Sequence, residues 1–302
     1  MFAKLIRLGC VVVALTSVTL VASCKGGASH GAKKGQPGKH AIQNIGSDTM
    51  VNLAQAWAEQ YATVVPSVSI EVSGGGTGVG VAALINGTVE IANCSRRLTP
   101  AEFEKAKKAT GKEPREHLVG YDGLAVFVHK SNPIEEISIE DLAAIYREGP
   151  TITKWSQLSV TLPKGATDEI VRVSRQNNSG TFQYFRETIV GKKDDLGLGS
   201  LDMNGSKEVV ELIAQTISAI GYSGLGYATR EVKVLKISKK RGLPSVFPSI
   251  ATVHDKTYPI SRPLYMYTPG EPSPVARQYL EWILGAEGQS IVRETGYIPL
   301  AQ

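Results

Sequence analysis

Three times along this 302-residue chain a short strand-like run leads into a cluster of Ser, Thr and Gly that opens a helix-like pattern. Residues 42–45 run into Gly46, Ser47, Asp48 and Thr49, after which Met50, Leu53, Ala54 and Trp57 recur at helical spacing. Residues 67–72 alternate and run into Ser73, Gly74, Gly75, Gly76, Thr77 and Gly78, with a helix expected over 79–86. Residues 170–173 lead through Ser174 and Arg175 to Ser179, Gly180 and Thr181, ahead of Phe182, Phe185 and Ile189. Strands that alternate with helices in this way call for mostly parallel sheets joined by crossover helices, an α/β protein.

The remaining segments keep the pattern. Strands are expected over 89–92, over 117–129 with an interruption at Asp122 and Gly123, and over 222–227, 233–237 and 264–267. Helices are expected over 100–110, from Ser138 onward, over 207–219 and over 275–284. There is no tandem repeat, and beyond the leader no run of 18 apolar residues that could span a bilayer.

Charge matters here because it is unevenly placed. The net charge is +5, from 33 Lys+Arg against 28 Asp+Glu. Lys4, Arg7, Lys25, Lys33, Lys34 and Lys39 lie in residues 1–39, which hold no acid; subtracting these six leaves 27 cations and 28 anions over 40–302, a net of −1. A nucleic-acid-binding domain would carry its cations on its own surface, so that class is excluded. Lys4 and Arg7 precede the apolar stretch 8–22, which is short for a span and stops at Ser23 and Cys24. Residues 1–24 thus read as an export signal: a lipoprotein signal cleaved before Cys24, with a plain signal peptide or an N-terminal anchor as the alternatives. Residues 25–40, rich in Gly and Lys, cannot bury apolar area and read as a flexible tether.

The Ser/Thr/Gly turns carry the chemistry. A helix N-terminus offers unpaired N–H groups and about half a positive charge; Gly admits close approach, and hydroxyls add donors. Any one such turn is equally a helix cap, but three together point to one anion. Arg175 is the leading charged candidate, since a guanidinium matches an oxyanion bidentately. Arg96, behind Ser95, is either a second ligand or half of a surface ion pair. No Walker A motif is present, and Gly78, Gly80 and Ala83 fall inside a helix rather than at a dinucleotide-binding turn. The histidines do not have metal-ligand spacing with acids or cysteines, so neither metal nor cofactor is expected. Ser179 lacks a nucleophile-elbow context, and Cys94 reads as a small packing residue.

The runs IGSDTM (45–50), SGGGTGVGVAALINGTVEIANCSR (73–96), YDGLAVFVHKSNP (121–133), SRQNNSGT (174–181), GYSGLGYA (221–228), YPISRPLYMYT (258–268) and GYIPL (296–300) occur in this order. Together they resemble the bacterial phosphate-binding lipoproteins and periplasmic proteins that feed phosphate ABC transporters. The resemblance implies a two-lobed periplasmic-binding-protein fold of type II character with the anion between the lobes. Lobe 1 would comprise 41–125 and 258–302, and lobe 2 would comprise 126–257. It implies phosphate ligands at Ser47, Thr49, Ser73, Gly76, Thr77, Ser95, Arg175, Ser179, Gly180 and Thr181, and lipid (palmitate) on Cys24. Gln176, Asn177 and Asn178 fill a spacer in which family members often carry an acid, so Arg175 is expected to lack an acidic partner and to be free for ligand. Phosphate carries a proton at neutral pH, and Asp48 and Asp122 are the candidates to accept it, Asp48 being equally a helix-cap acid.

The expected function is non-enzymatic: extracytoplasmic capture of inorganic phosphate by a lipid-anchored, monomeric protein that docks on an ABC permease in a bacterial membrane. The alternatives are the same fold selecting sulfate, molybdate or a phosphorylated small molecule, an exported hydrolase using Ser179, and a surface adhesin or sensor.

Overall fold

The computed structural model describes residues 40–301; the export signal, Cys24 and tether residues 25–39 lie outside the described residues. The chain runs β1 (His40–Gly46), α1 (Val51–Val64), β2 (Val68–Ser73), α2 (Thr77–Ile85), β3 (Ile91–Cys94), α3 (Pro100–Thr110) and β4 (Arg115–His129). It continues β5 (Glu136–Ser138), α4 (Ile139–Tyr146), β6 (Val171–Arg175), α5 (Gly180–Ile189), β7 (Leu201–Met203), α6 (Ser206–Gln215) and β8 (Ala219–Gly224). It ends β9 (Val232–Val234), β10 (Lys236–Ser238), α7 (Ile250–His254), β11 (Ser261–Thr268), α8 (Pro274–Leu284) and α9 (Ala286–Glu294). His40, assigned from sequence to the tether, already belongs to β1.

The main sheet has the order β2-β1-β3-β11-β4-β8-β6-β7, with β9 also on β4, and β10 pairs with β5 apart from it. Its outer ladders are parallel: β1 with β2 and β3, and β6 with β7 and β8. Antiparallel pairing is confined to β4 and β11, where the chain crosses from one half to the other. The N-terminal part of β4 pairs with β11 and its C-terminal part with β8 and β9. The limit drawn from sequence at 125/126 therefore falls inside one continuous strand.

Helices cover both faces of each half-sheet. In the first half, Leu53 and Trp57 of α1, Tyr279 and Ile283 of α8 and Val292 of α9 pack on Ile42, Ile91 and Leu264. On its other face Val81, Leu84 and Ala106 meet Ala92, Cys94 and Tyr267. In the second half, Leu142, Ile145 and Phe185 pack on Val126, Ile220 and Tyr222, and Val209 and Ile213 cover Ala125, Phe127 and Val173. Burying a large apolar side chain of this kind contributes about 1.5–3 kcal/mol. The result is a two-lobed α/β fold.

Four local expectations are corrected. Asp122 and Gly123 do not interrupt β4, because Arg262 lies directly opposite Asp122 in β11 and neutralises it. The helix expected over 207–219 stops at Gln215, and Ala219 opens β8. Residues 233–237 divide between β9 and β10, which join different sheets. Helix α9 was not expected: Gly288 and its polar neighbours hide it, yet the Gly288 carbonyl accepts from Trp57 Nε1 at 2.8 Å.

Candidate functional site

The helix-opening turns of α1, α2 and α5 meet. Thr49, in the short turn ahead of α1, lies with its Oγ1 2.7 Å from Thr181 Oγ1 in the first turn of α5. Thr77 opens α2, and its Oγ1 accepts the Ser95 N–H at 3.1 Å with the two hydroxyls 3.3 Å apart. Gly180 sits against this pair: a Cβ there would stand 2.4 Å from Thr77 Oγ1 and 2.7 Å from Ser95 Oγ. Ser179 caps α5, its Oγ accepting from the N–H groups of Thr181 at 3.1 Å and Phe182 at 3.4 Å. Thr49, Thr77, Ser95, Ser179 and Thr181 are all buried.

Arg262, which sequence reasoning did not single out, binds this group together. Its Nη2 donates to Thr49 Oγ1 (3.2 Å), Thr181 Oγ1 (2.9 Å) and Asp122 Oδ2 (2.8 Å), and its Nε donates to Asp122 Oδ2 (3.1 Å). Asp122 Oδ1 accepts the Leu225 N–H at 3.1 Å. Arg262 and Asp122 are 1% and 0% exposed, and Arg262 Nη1 has no hydrogen-bond partner among the described residues. A buried guanidinium leaves donors unmatched only at a cost, so Nη1 is a candidate contact for an anion. The signal was in the sequence: an arginine within a run of strand-forming residues, 258–268, whose alternation buries it.

Arg175 behaves differently from its expected role. It is not without an acidic partner: its Nη2 donates to Asp48 Oδ2 at 2.8 Å and to the Asn204 carbonyl at 2.7 Å, and its Nη1 to Ser206 Oγ at 3.0 Å. Burial lowers its pKa while Asp48 opposes that, and a guanidinium stays charged regardless. Asp48 Oδ1 accepts the Gly75 N–H at 2.9 Å, so both its oxygens are engaged. Arg96 forms a bidentate pair with Glu102, both bonds at 2.8 Å, which is the ion-pair reading. Burial pushes the Cys94 thiol up to about 12, leaving it an unreactive core residue.

The other expected ligands lie at the edge of this group. Ser47 is buried and its N–H donates to the Asn93 carbonyl at 2.9 Å. Ser73 is exposed at the end of β2 and is not brought into the network. Gly76 caps α2 at φ 95°, a left-handed conformation that side-chain-bearing residues avoid. The arrangement gathers helix N-terminal amides, hydroxyls and a guanidinium around one buried and one partly buried acid–base pair, which suits a small oxyanion held without a basic surface.

A two-lobed α/β body with such a group of donors between its half-sheets is the architecture of a solute-binding protein. The chain belongs to the PBP superfamily, whose domain model matches residues 31–287. It is 34% identical over 269 residues to the phosphate-binding protein PstS of Pseudomonas aeruginosa, covering 86% of this chain and 83% of that protein. It is similar to a phosphate ABC transporter substrate-binding protein of Clostridium perfringens solved with bound phosphate, at 29% identity and TM-score 0.77 over 87% of this chain and 100% of that one. It is also similar to an ABC-type phosphate transport receptor of Vibrio cholerae, at 25% identity and TM-score 0.66 over 86% and 100%.

Proposed function

We propose that this chain captures inorganic phosphate outside the cytoplasm and delivers it to an ABC permease, as a lipid-anchored monomer attached through Cys24, without enzymatic turnover. The observation that carries the reading is the buried group Thr49–Thr181–Arg262–Asp122, with an Arg262 nitrogen left to donate. The similarity to phosphate-binding relatives supports phosphate as the anion. Lobe 1 (41–125, 258–302) supplies Thr49, Thr77, Ser95, Asp122 and Arg262, and lobe 2 (126–257) supplies Ser179, Gly180 and Thr181. Closing the lobes brings both sets onto one anion, and only such differential contact can drive closure.

Asp122 is the better candidate than Asp48 to accept the phosphate proton, because it is fully buried among the proposed ligands, whereas Asp48 is partly exposed and bonded to the glycine turn and Arg175. A carboxylate at this point opposes fully ionised sulfate. Calorimetric titration with phosphate tests the reading: Arg262→Ala and Thr181→Val each weaken binding more than about tenfold, or about 1.4 kcal/mol. Asp122→Asn narrows the preference for phosphate over sulfate. Unchanged phosphate affinity in both of the first two variants would sink the site.

A further inference from the structure

We infer that Asn178 and Asp48 form a latch across the mouth of the cleft, separate from the anion's own contacts, that sets how fast the anion leaves. The inference rests on the anion-capturing reading of the site and concerns its regulation.

The latch is built on the glycine turn between β2 and α2. From the α5 side, the Asn178 carbonyl accepts the Gly78 N–H at 3.0 Å and its side-chain Nδ2 donates to the Gly75 carbonyl at 3.1 Å. The fit demands glycine: a Cβ on Gly76 would stand 2.9 Å from the Asn178 carbonyl oxygen and one on Gly78 3.1 Å from it. From the β6 side, Arg175 holds Asp48, and Asp48 in turn holds the Gly75 N–H. Tyr227 adds a bond from its hydroxyl to the Asp48 carbonyl at 2.6 Å. Asn178 thus grips the turn directly across the halves, while Arg175 and Tyr227 grip Asp48, the residue of the turn's own half that holds Gly75.

Two features separate these contacts from the anion's. None of them uses the hydroxyls of Thr49, Thr77, Ser95 or Thr181, or any atom of Arg262. The Asn178 contact also lies further out: Gly75 and Asn178 are exposed and Asp48 is partly exposed, while Thr49, Thr181 and Arg262 are buried; Arg175, behind Asp48, is buried as well. Contacts present only when the halves are together favour that arrangement whether or not an anion is bound, and apparent affinity scales with the fraction of competent conformer. Release must first break the latch, whereas capture meets the halves apart. The latch therefore acts on departure far more than on arrival.

The test uses the full chain and inorganic phosphate. Radiolabelled phosphate is bound and chased with excess unlabelled phosphate, and association is followed separately. Asn178→Ala removes the Nδ2 bond but keeps the carbonyl, and Asp48→Asn removes the charge facing Arg175. Both should release phosphate about 5- to 20-fold faster while association changes less than about twofold. The ligand-free radius of gyration by X-ray scattering should rise in both. If phosphate binds and release is unchanged in both variants, the latch is overturned. If the unsubstituted chain binds no phosphate, the function proposed above fails; the scattering comparison then decides the latch alone, and equal radii overturn it.

Discussion

A methyl group on Gly180 would have to occupy space already held by Thr77 Oγ1 and Ser95 Oγ, at 2.4 and 2.7 Å. No flexible side-chain tip is there to yield, since the Ser95 N–H fixes Thr77 Oγ1, the Ser95 hydroxyl lies 3.3 Å from that oxygen, and both residues are buried. Gly180→Ala should therefore push α5 away from α2 and weaken phosphate binding more than about tenfold in a calorimetric titration. Its own backbone is helical, so the melting temperature should move little. This residue was legible in the sequence, because a Ser-Gly-Thr run opening a helix has a physical reason to be there. The burial of Arg262 was legible from the alternation of its strand, but its role was not, because that depends on Asp122, which sits 140 positions away and becomes its neighbour only through the register of β11 on β4. Arg175 was legible as a charged residue of the cleft but not as the partner of Asp48, 127 positions away. Local chemistry can be read from a sequence; the partner of a buried charge generally cannot.

At the scale of elements, α5 shows how one residue serves two demands. Ser179 accepts two amide bonds as the N-cap, and it stands beside Gly180 and Thr181, which meet the hydroxyls of Thr77, Ser95 and Thr49. Ser179→Ala should cost about 1 kcal/mol in denaturant unfolding, the usual loss for an N-cap. Ser179→Asp keeps a cap acceptor, so stability should be largely retained, but it brings a negative charge to the anion's position and should reduce phosphate binding further than alanine does. Equal effects of the two substitutions on binding would show that Ser179 serves the helix only. Helix α3 was legible to the residue at 100–110, and the structure shows Thr99 and Glu102 forming a reciprocal cap at its start. Helix α9 lacks such a signal, and it is held by tertiary contacts: Trp57 to the Gly288 carbonyl, and Gln289 Nε2 to the carbonyls of Val119 and Ile283.

For the whole molecule, the near balance of 27 cations and 28 anions over 40–302 means that no broad positive field surrounds the cleft. Its buried pair Arg262–Asp122 and partly buried pair Arg175–Asp48 are each neutral. Attraction for a dianion is then local, through N–H groups, hydroxyls and the remaining guanidinium donors. Raising ionic strength from about 0.01 to about 0.15 M, which shortens screening from about 30 to about 8 Å, should weaken phosphate binding less than about threefold. A steep loss in a salt series would contradict the local origin. The α/β class and the alternation of elements were legible at this scale. The antiparallel crossing at β4 and β11 was not, because the neighbours of a strand in a sheet are set by the path of the chain in space.

The position of β11 also governs the order in which the molecule can assemble. It lies between β3 and β4, yet it is made of residues 261–268, after all the other strands. During synthesis β3 and the first part of β4 wait, with unpaired edges, for about half of the chain to be made. Until then the first half-sheet is a trio of strands without its central partner. Strand pairings of such long sequence separation close slowly. A nascent chain with this topology remains unfinished through nearly all of its synthesis, and its last strand acts as the keystone that completes the sheet.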